Sequence, residues 1–147
     1  MLFTNSHVIE FINMNKYIIE KYRLKFVIVE LLGERWKHCS AGDENTQKTL
    51  GCFLSCWQKP NRVDGLLKEI EVLLDGEVTD VATGCESVLI DIYKDKTEFF
   101  DAFADVDFSK PDFVISTADF KAILEEWKSF LGTAIHKKLP MLHSVWL

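Results

Sequence analysis

Carboxylates crowd one short stretch of this 147-residue chain: Asp91, Asp95, Glu98, Asp101, Asp105 and Asp107, with Asp112 just beyond. Such a run can be a solvated surface that keeps the protein soluble. It can equally be a docking face, because clustered carboxylates steer a cationic partner at long range and then pair with its Lys and Arg side chains. A Ca²⁺ loop is a third use, but Asp101, Asp105 and Asp107 lack the glycine turn and the terminal glutamate of the D-x-[DN]-x-[DN]-G pattern.

The next candidates are His38, Cys39, Cys52 and Cys56, a set with ligand types suited to tetrahedral Zn²⁺. Gly51–Gln58 alternates Cys52, Leu54 and Cys56 against Phe53, Ser55 and Trp57, which reads as a strand. On a strand the two cysteines would stand about 13 Å apart, too far to share an ion. Small core side chains are the expectation instead, and no metal is expected. A Cys39–His38 nucleophile pair fails for a related reason, since neighbours on a strand point to opposite faces.

Other catalytic patterns are missing. The chain has no G-x-x-x-x-G-K-[ST] loop, no G-x-G pair, no G-x-S-x-G elbow and no H-E-x-x-H helix. His7, His38, His136 and His143 are scattered along the chain. The expectation is a protein that is no enzyme and needs no cofactor. Trp57, beside Gln58, Lys59 and Pro60, is either an exposed interface anchor or a side chain packed against the helix that follows.

Charge by segment sharpens this. Lys and Arg number 17 against 23 Asp and Glu, a net charge of −6. Residues 1–61 carry net +2, residues 62–128 net −10 and residues 129–147 net +2. That balance argues against a general nucleic-acid binder, which needs a surplus of Lys and Arg. The N-terminal stretch lacks the parts of a signal peptide, and no apolar run approaches a membrane span. Cys39, Cys52, Cys56 and Cys85 are too few and irregular for a secreted disulfide framework. A cytoplasmic protein with reduced thiols and no membrane contact is expected.

The elements that must position these residues are legible in part. Val63, Leu66, Leu67, Ile70, Leu73 and Leu74 form one stripe of a helix over Arg62–Asp75, with Asn61 as cap, Asp64 at N3, Pro60 barring entry from the left and Gly76 just past the end. Phe120, Ile123, Leu124, Trp127 and Leu131 do the same for a helix over Ala118–Leu131, capped by Ser116 or Thr117. Strands are expected at Arg23–Leu32, Gly51–Gln58, Glu77–Thr83, Glu86–Lys94 and Phe113–Ser116, and an exposed loop at Ser40–Lys48. Thr97–Asp105 reads as a helix with Phe99, Phe100, Phe103 and Val106 on one face or as a strand extending the meander, which the short charged turn before it favours. Runs of strands between helices indicate α+β: an antiparallel sheet of about five or six strands with two amphipathic helices packed on it. Residues 1–147 read as a single domain, with 1–15 and 139–147 peripheral.

The segment GEVTDVATGCESVLIDIYKDKTEFFDAF, the helix before it and DFVISTADFKAILEEWKSFL after it resemble small bacterial immunity proteins. These are the cognate inhibitors of polymorphic or contact-dependent growth inhibition toxins. The resemblance spans residues 62–131. It implies a cytoplasmic, non-enzymatic protein that binds one toxin domain, often a nuclease, and it carries no catalytic residue over. A small-ligand or peptide-binding α+β domain, or an enzyme with an unfamiliar site, are the other readings.

Overall fold

The computed structural model of the chain describes residues 7–10 and 15–133. The fold is α+β, but its strands divide into two antiparallel sheets where one was expected. The first holds β1 (His7–Glu10), β2 (Leu24–Leu31) and β3 (Glu34–Ala41), with β2 central. The second is a meander of β4 (Asp80–Gly84), β5 (Val88–Tyr93), β6 (Lys96–Asp101) and β7 (Phe113–Ser116).

The strand expected at Gly51–Gln58 is helix, and so is most of the loop expected at Ser40–Lys48. Asp43 accepts a hydrogen bond from the Thr46 N–H and starts α2 (Glu44–Thr46). A π-helical turn, Gln47–Gly51, continues into α3 (Cys52–Cys56). Leu50, Phe53, Leu54 and Trp57 stand at i, i+3, i+4 and i+7 and are all buried. That helical stripe outweighs the short period-two alternation in the same residues.

This helical segment also does what a fourth strand would do for β3. Gln58 bonds both the N–H and the C=O of Lys37, at 3.3 and 2.7 Å. Ser55 Oγ accepts from the Cys39 N–H at 2.9 Å. Gln47 accepts from the Ala41 N–H at 2.6 Å and donates to the Cys39 C=O at 3.3 Å. Side chains thereby satisfy an edge that would otherwise invite another chain. Gly51 makes room for it, since a Cβ there would lie 2.7 Å from Gln47 Nε2.

Two shorter elements carried no readable pattern. The chain reverses between the first two strands through α1 (Lys16–Lys21), whose cap Asn15 accepts from the Ile18 N–H. Of the segments expected to be peripheral, His7–Glu10 is the edge strand β1, and 139–147 lies outside the described residues.

The two long helices match their expected stripes with shifted ends. Helix α4 runs Pro60–Leu74, so Lys59 is the cap and Pro60 occupies the first helical turn. Proline fits there because its missing N–H would have had no helical partner. Asn61 is therefore not the cap, and Asp64 pairs with Lys68 and Lys128. Gly76, at φ +82°, ends the helix as expected: the Glu77 N–H reaches the Val72 C=O and the Gly76 N–H the Leu73 C=O. Helix α5 runs Thr117–Leu131, and Ser116 caps it by accepting from the Asp119 N–H.

Helix α5 lies between the sheets. Its Trp127 meets Phe26 of β2 at 5.0 Å, and its Phe120 meets Phe99 of β6 at 5.5 Å. Leu66, Ile70, Leu73, Ile123, Leu124 and Trp127 are buried, whereas Leu74 at the end of α4 is half-buried. Lys37 is 5% exposed and donates from Nζ to the C=O of Leu131 and of Thr133, closing the C-terminus of α5 with a cation.

The β2–β3 hairpin turns through Leu32 and Gly33, both at positive φ (55° and 80°). Glycine adopts that conformation freely, but leucine is strained in it by about 1–2 kcal/mol. Leu32 is 83% exposed and gains little packing in return. Leu32→Asn is expected to stabilise the protein by about 0.5–1 kcal/mol, read as a higher thermal midpoint. An unchanged or lower midpoint would show that the leucine relieves its own strain.

Candidate protein-binding face

Helices α4 and α5 cover one face of the second sheet, burying Val81, Val88, Ile90, Ile92, Thr97, Phe99 and Ile115. Alternation sends the intervening residues to the other face. The register then sets Ala82, Asp91, Glu98 and Val114 in one row across the four strands, with Leu89 opposite Phe100 in a neighbouring row. Asp91 and Glu98 are thus a directly opposed pair of like charges. Such pairs are destabilising on their own and make sense where an opposite charge is to arrive.

Asp80 joins them from β4. Burial pushes the Asp91 carboxyl above its ordinary value, and the nearby charges of Asp80 and Glu98 push it further. Lys96 pairs with Glu98 at 3.1 Å, and the Glu98 side chain is 12% exposed. Leu89 and Val114 are exposed on the same face, and Phe103 and Phe108 are exposed in the loop after β6. Phe108 lies 5.0 Å from Phe100 and roofs it.

The remaining carboxylates of the run go elsewhere. Asp95 is exposed in the β5–β6 turn. Asp101 has the opposite parity to Glu98 and accepts the Phe103 N–H at 2.9 Å, shaping the loop. Asp107 accepts from the N–H and Oγ of Ser109, and these bonds hold its carboxyl below the usual range. Asp105 is exposed in the same loop. The structure therefore brings together two of the six expected residues, Asp91 and Glu98. Leu89 shares the face of Asp91 by alternation along β5, as the sequence pattern already showed, whereas Asp80 and Val114 were missed because cross-strand register, which places them, is not written in local pattern.

Trp57 is not an exposed anchor. It is 5% exposed, its indole donates to the Gly84 C=O at 3.2 Å, and the Arg62 guanidinium lies 4.1 Å from the ring. The packed alternative holds.

The reason given against a shared metal at Cys52 and Cys56 also falls, since they sit one turn apart on α3. Among the described residues, however, no group of three or more His, Cys, Asp and Glu is placed to hold a metal ion. His38 Nδ1 lies 3.2 Å from Ser55 Oγ. That hydroxyl is already the acceptor for β3's edge, so the contact fastens α3 to β3.

A pH effect follows from Asp91. Its folded pKa is raised, so the charged form carries a penalty that is fully present above that pKa. The penalty fades as pH falls through the folded value and is absent below the unfolded one. Asp91→Asn is expected to raise stability at neutral pH, with the gain shrinking toward acid. A gain independent of pH in chemical denaturation would contradict this.

No helix of the described residues is long and apolar enough to cross a membrane. No protein-family model, curated protein or solved structure matches the chain.

Proposed function

We propose that this chain is a non-enzymatic immunity protein that binds and neutralises a cognate toxin domain, a nuclease foremost, in the cytoplasm. The docking surface is the outer face of the β4–β7 sheet. The observation that carries this reading is the row Asp91–Glu98, set with Asp80, exposed Leu89 and Val114, and Phe108 against Phe100, on the side of the sheet opposite α4 and α5. Carboxylates within an apolar frame suit a protein partner with a basic surface: the charges steer and orient it, and the aromatic and aliphatic groups supply desolvated contact. A nuclease surface is cationic because it is shaped for phosphates. Carboxylates that occupy it displace the substrate without any chemistry of their own.

The test is co-expression with the product of the adjoining reading frame, expected to be a toxin domain. A stoichiometric complex and restored growth are expected. Loss of growth with no complex would overturn the reading.

A ligand-binding reading has two open grooves behind it, one of about 420 Å³ between α4 and β4 lined by Val72, Val78, Val81 and Ala82 with Lys68, Glu69 and Asp80, and one of about 570 Å³ between α4 and α5 lined by Asp64, Glu71, Glu125 and Lys128 among others. Lys68, Glu69 and Asp80 are the charged groups of the first groove, and the perturbed carboxyl of Asp91 lines neither.

A further inference from the structure

The chain covers one of its sheet edges and leaves part of another bare. On β3 the free edge is filled by Gln47, Ser55 and Gln58. On β4 the ladder decides which backbone groups face outward. The Cys85 N–H bonds the Val88 C=O and the Ala102 N–H the Ser87 C=O, so even-numbered residues of β5 pair with β4 and odd-numbered ones with β6. Val81 and Thr83 therefore bond β5, whereas Asp80, Ala82 and Gly84 turn their N–H and C=O groups to the open side. The Trp57 indole takes the Gly84 C=O at 3.2 Å. Among the described residues, nothing bonds the main chain of Asp80 or Ala82. Proline, lysine and bulges are common guards of such an edge, and β4 has none of them. Its guard is a charge, Asp80. Beside this edge runs the groove between α4 and β4, lined by Val81 and by exposed Val72 and Val78. Lys68 in that groove is already paired with Asp64 at 3.3 Å, so Glu69 and Asp80 set its sign. On the outer face only the small Ala82 separates the open edge from Asp91.

We propose that the open edge of β4 is a strand-addition site for an extended segment of a partner protein in which Lys or Arg alternates with aliphatic residues. The added strand bonds the main chain of Asp80 and Ala82, which supplies affinity without sequence preference. Alternation then supplies the preference: one set of side chains packs on Val72 and Val78, and the other set meets Asp80 and reaches across Ala82 to Asp91. A second copy of β4 is the rival occupant. It would bring the Asp80 of one chain to the Asp80 and Asp91 of the other, like charge against like, so the same carboxylates that admit a basic segment exclude self-pairing. Asp80 and Asp91 belong also to the docking face described above, but strand addition does not require that the partner be a toxin.

The experiment titrates the isotope-labelled full chain with an end-capped heptapeptide of alternating Lys and Val, read by amide chemical shifts and hydrogen exchange. Saturable binding is expected, with slowed exchange of the Ala82 amide. N-methylating one set of alternate peptide amides should weaken binding at least about tenfold, while N-methylating the other set leaves it unchanged, because only one set faces β4. A peptide of the same composition with its Lys and Val in two blocks should also bind at least about tenfold more weakly. Ala82→Pro removes an outward N–H without touching the β5 ladder and should abolish binding with parental circular dichroism. The N-methylated peptides carry the same test on the unaltered chain. No binding, equal binding of both N-methylated peptides, equal binding of the block peptide, or a dimer of the chain alone that Ala82→Pro dissociates would each overturn the proposal. Peptide binding is read without a toxin, so a failed titration and a failed rescue of growth are separate results.

Discussion

Asp91→Lys together with Glu98→Lys is expected to abolish tight binding to the toxin partner while leaving the fold intact. Both side chains lie on the outer face, opposite each other on β5 and β6; the Glu98 side chain is 12% exposed and paired with Lys96, so parental circular dichroism of the double variant is part of the test. Truncating one partner of a desolvated charge pair typically costs about 2–5 kcal/mol. Reversal adds repulsion to that loss, so the affinity should fall at least about thirtyfold. The salt dependence of association should flatten, because the steering charge is gone. Asp107→Lys is the internal control: its carboxylate is committed to Ser109, and its reversal should act on association rate alone. Equal losses from Asp107 and from the Asp91–Glu98 pair would mean that the whole acidic segment acts as a diffuse field.

The second large effect is on stability. Trp127→Ala is expected to destabilise the protein by about 3–5 kcal/mol, a large part of the total for a domain of this size. Trp127 is fully buried, touches Phe26 and Phe130, and donates its indole N–H to the Trp57 C=O at 2.8 Å. It thereby joins α5 to β2 and to the chain after α3 at once. Trp127→Phe separates the two contributions: it keeps most of the contact and orphans the Trp57 carbonyl, for a loss of about 1–3 kcal/mol. The midpoint of thermal or denaturant unfolding reads both. An alanine variant within about 1 kcal/mol of the parent would show that α5 is not the element holding the two sheets together.

What could be read from the sequence follows from the range of the interactions involved. The stripes of α4 and α5 are local and long, so their buried residues were legible except Leu74, which is half-buried, and the cap of α5 was narrowed to Ser116 or Thr117, of which Ser116 is the one that holds it. Pro60 was misread as a barrier because a proline just before a helix and one in its first turn look alike in sequence. The segment from Glu44 to Cys56 fits either period over so few residues. Its helical state is decided by the β3 edge, which needs Gln47, Ser55 and Gln58 as hydrogen-bonding side chains. The acidic run was visible, yet linear crowding said nothing of parity. Asp91 and Glu98 meet across strands, whereas Asp101 and Asp107 shape a loop. Asp80 and Val114 reach the same face from eleven and sixteen residues away in the chain, on β4 and β7.

The measurement closest to the central claim is the hydrogen-exchange footprint of this chain in complex with the toxin domain that the proposed function requires. The account predicts new protection in β5, β6 and the loop carrying Phe103 and Phe108, with β2 and β3 exchanging as in the free protein. Protection centred on β2 and β3, or on α4 and α5, with β5 and β6 unchanged would contradict it.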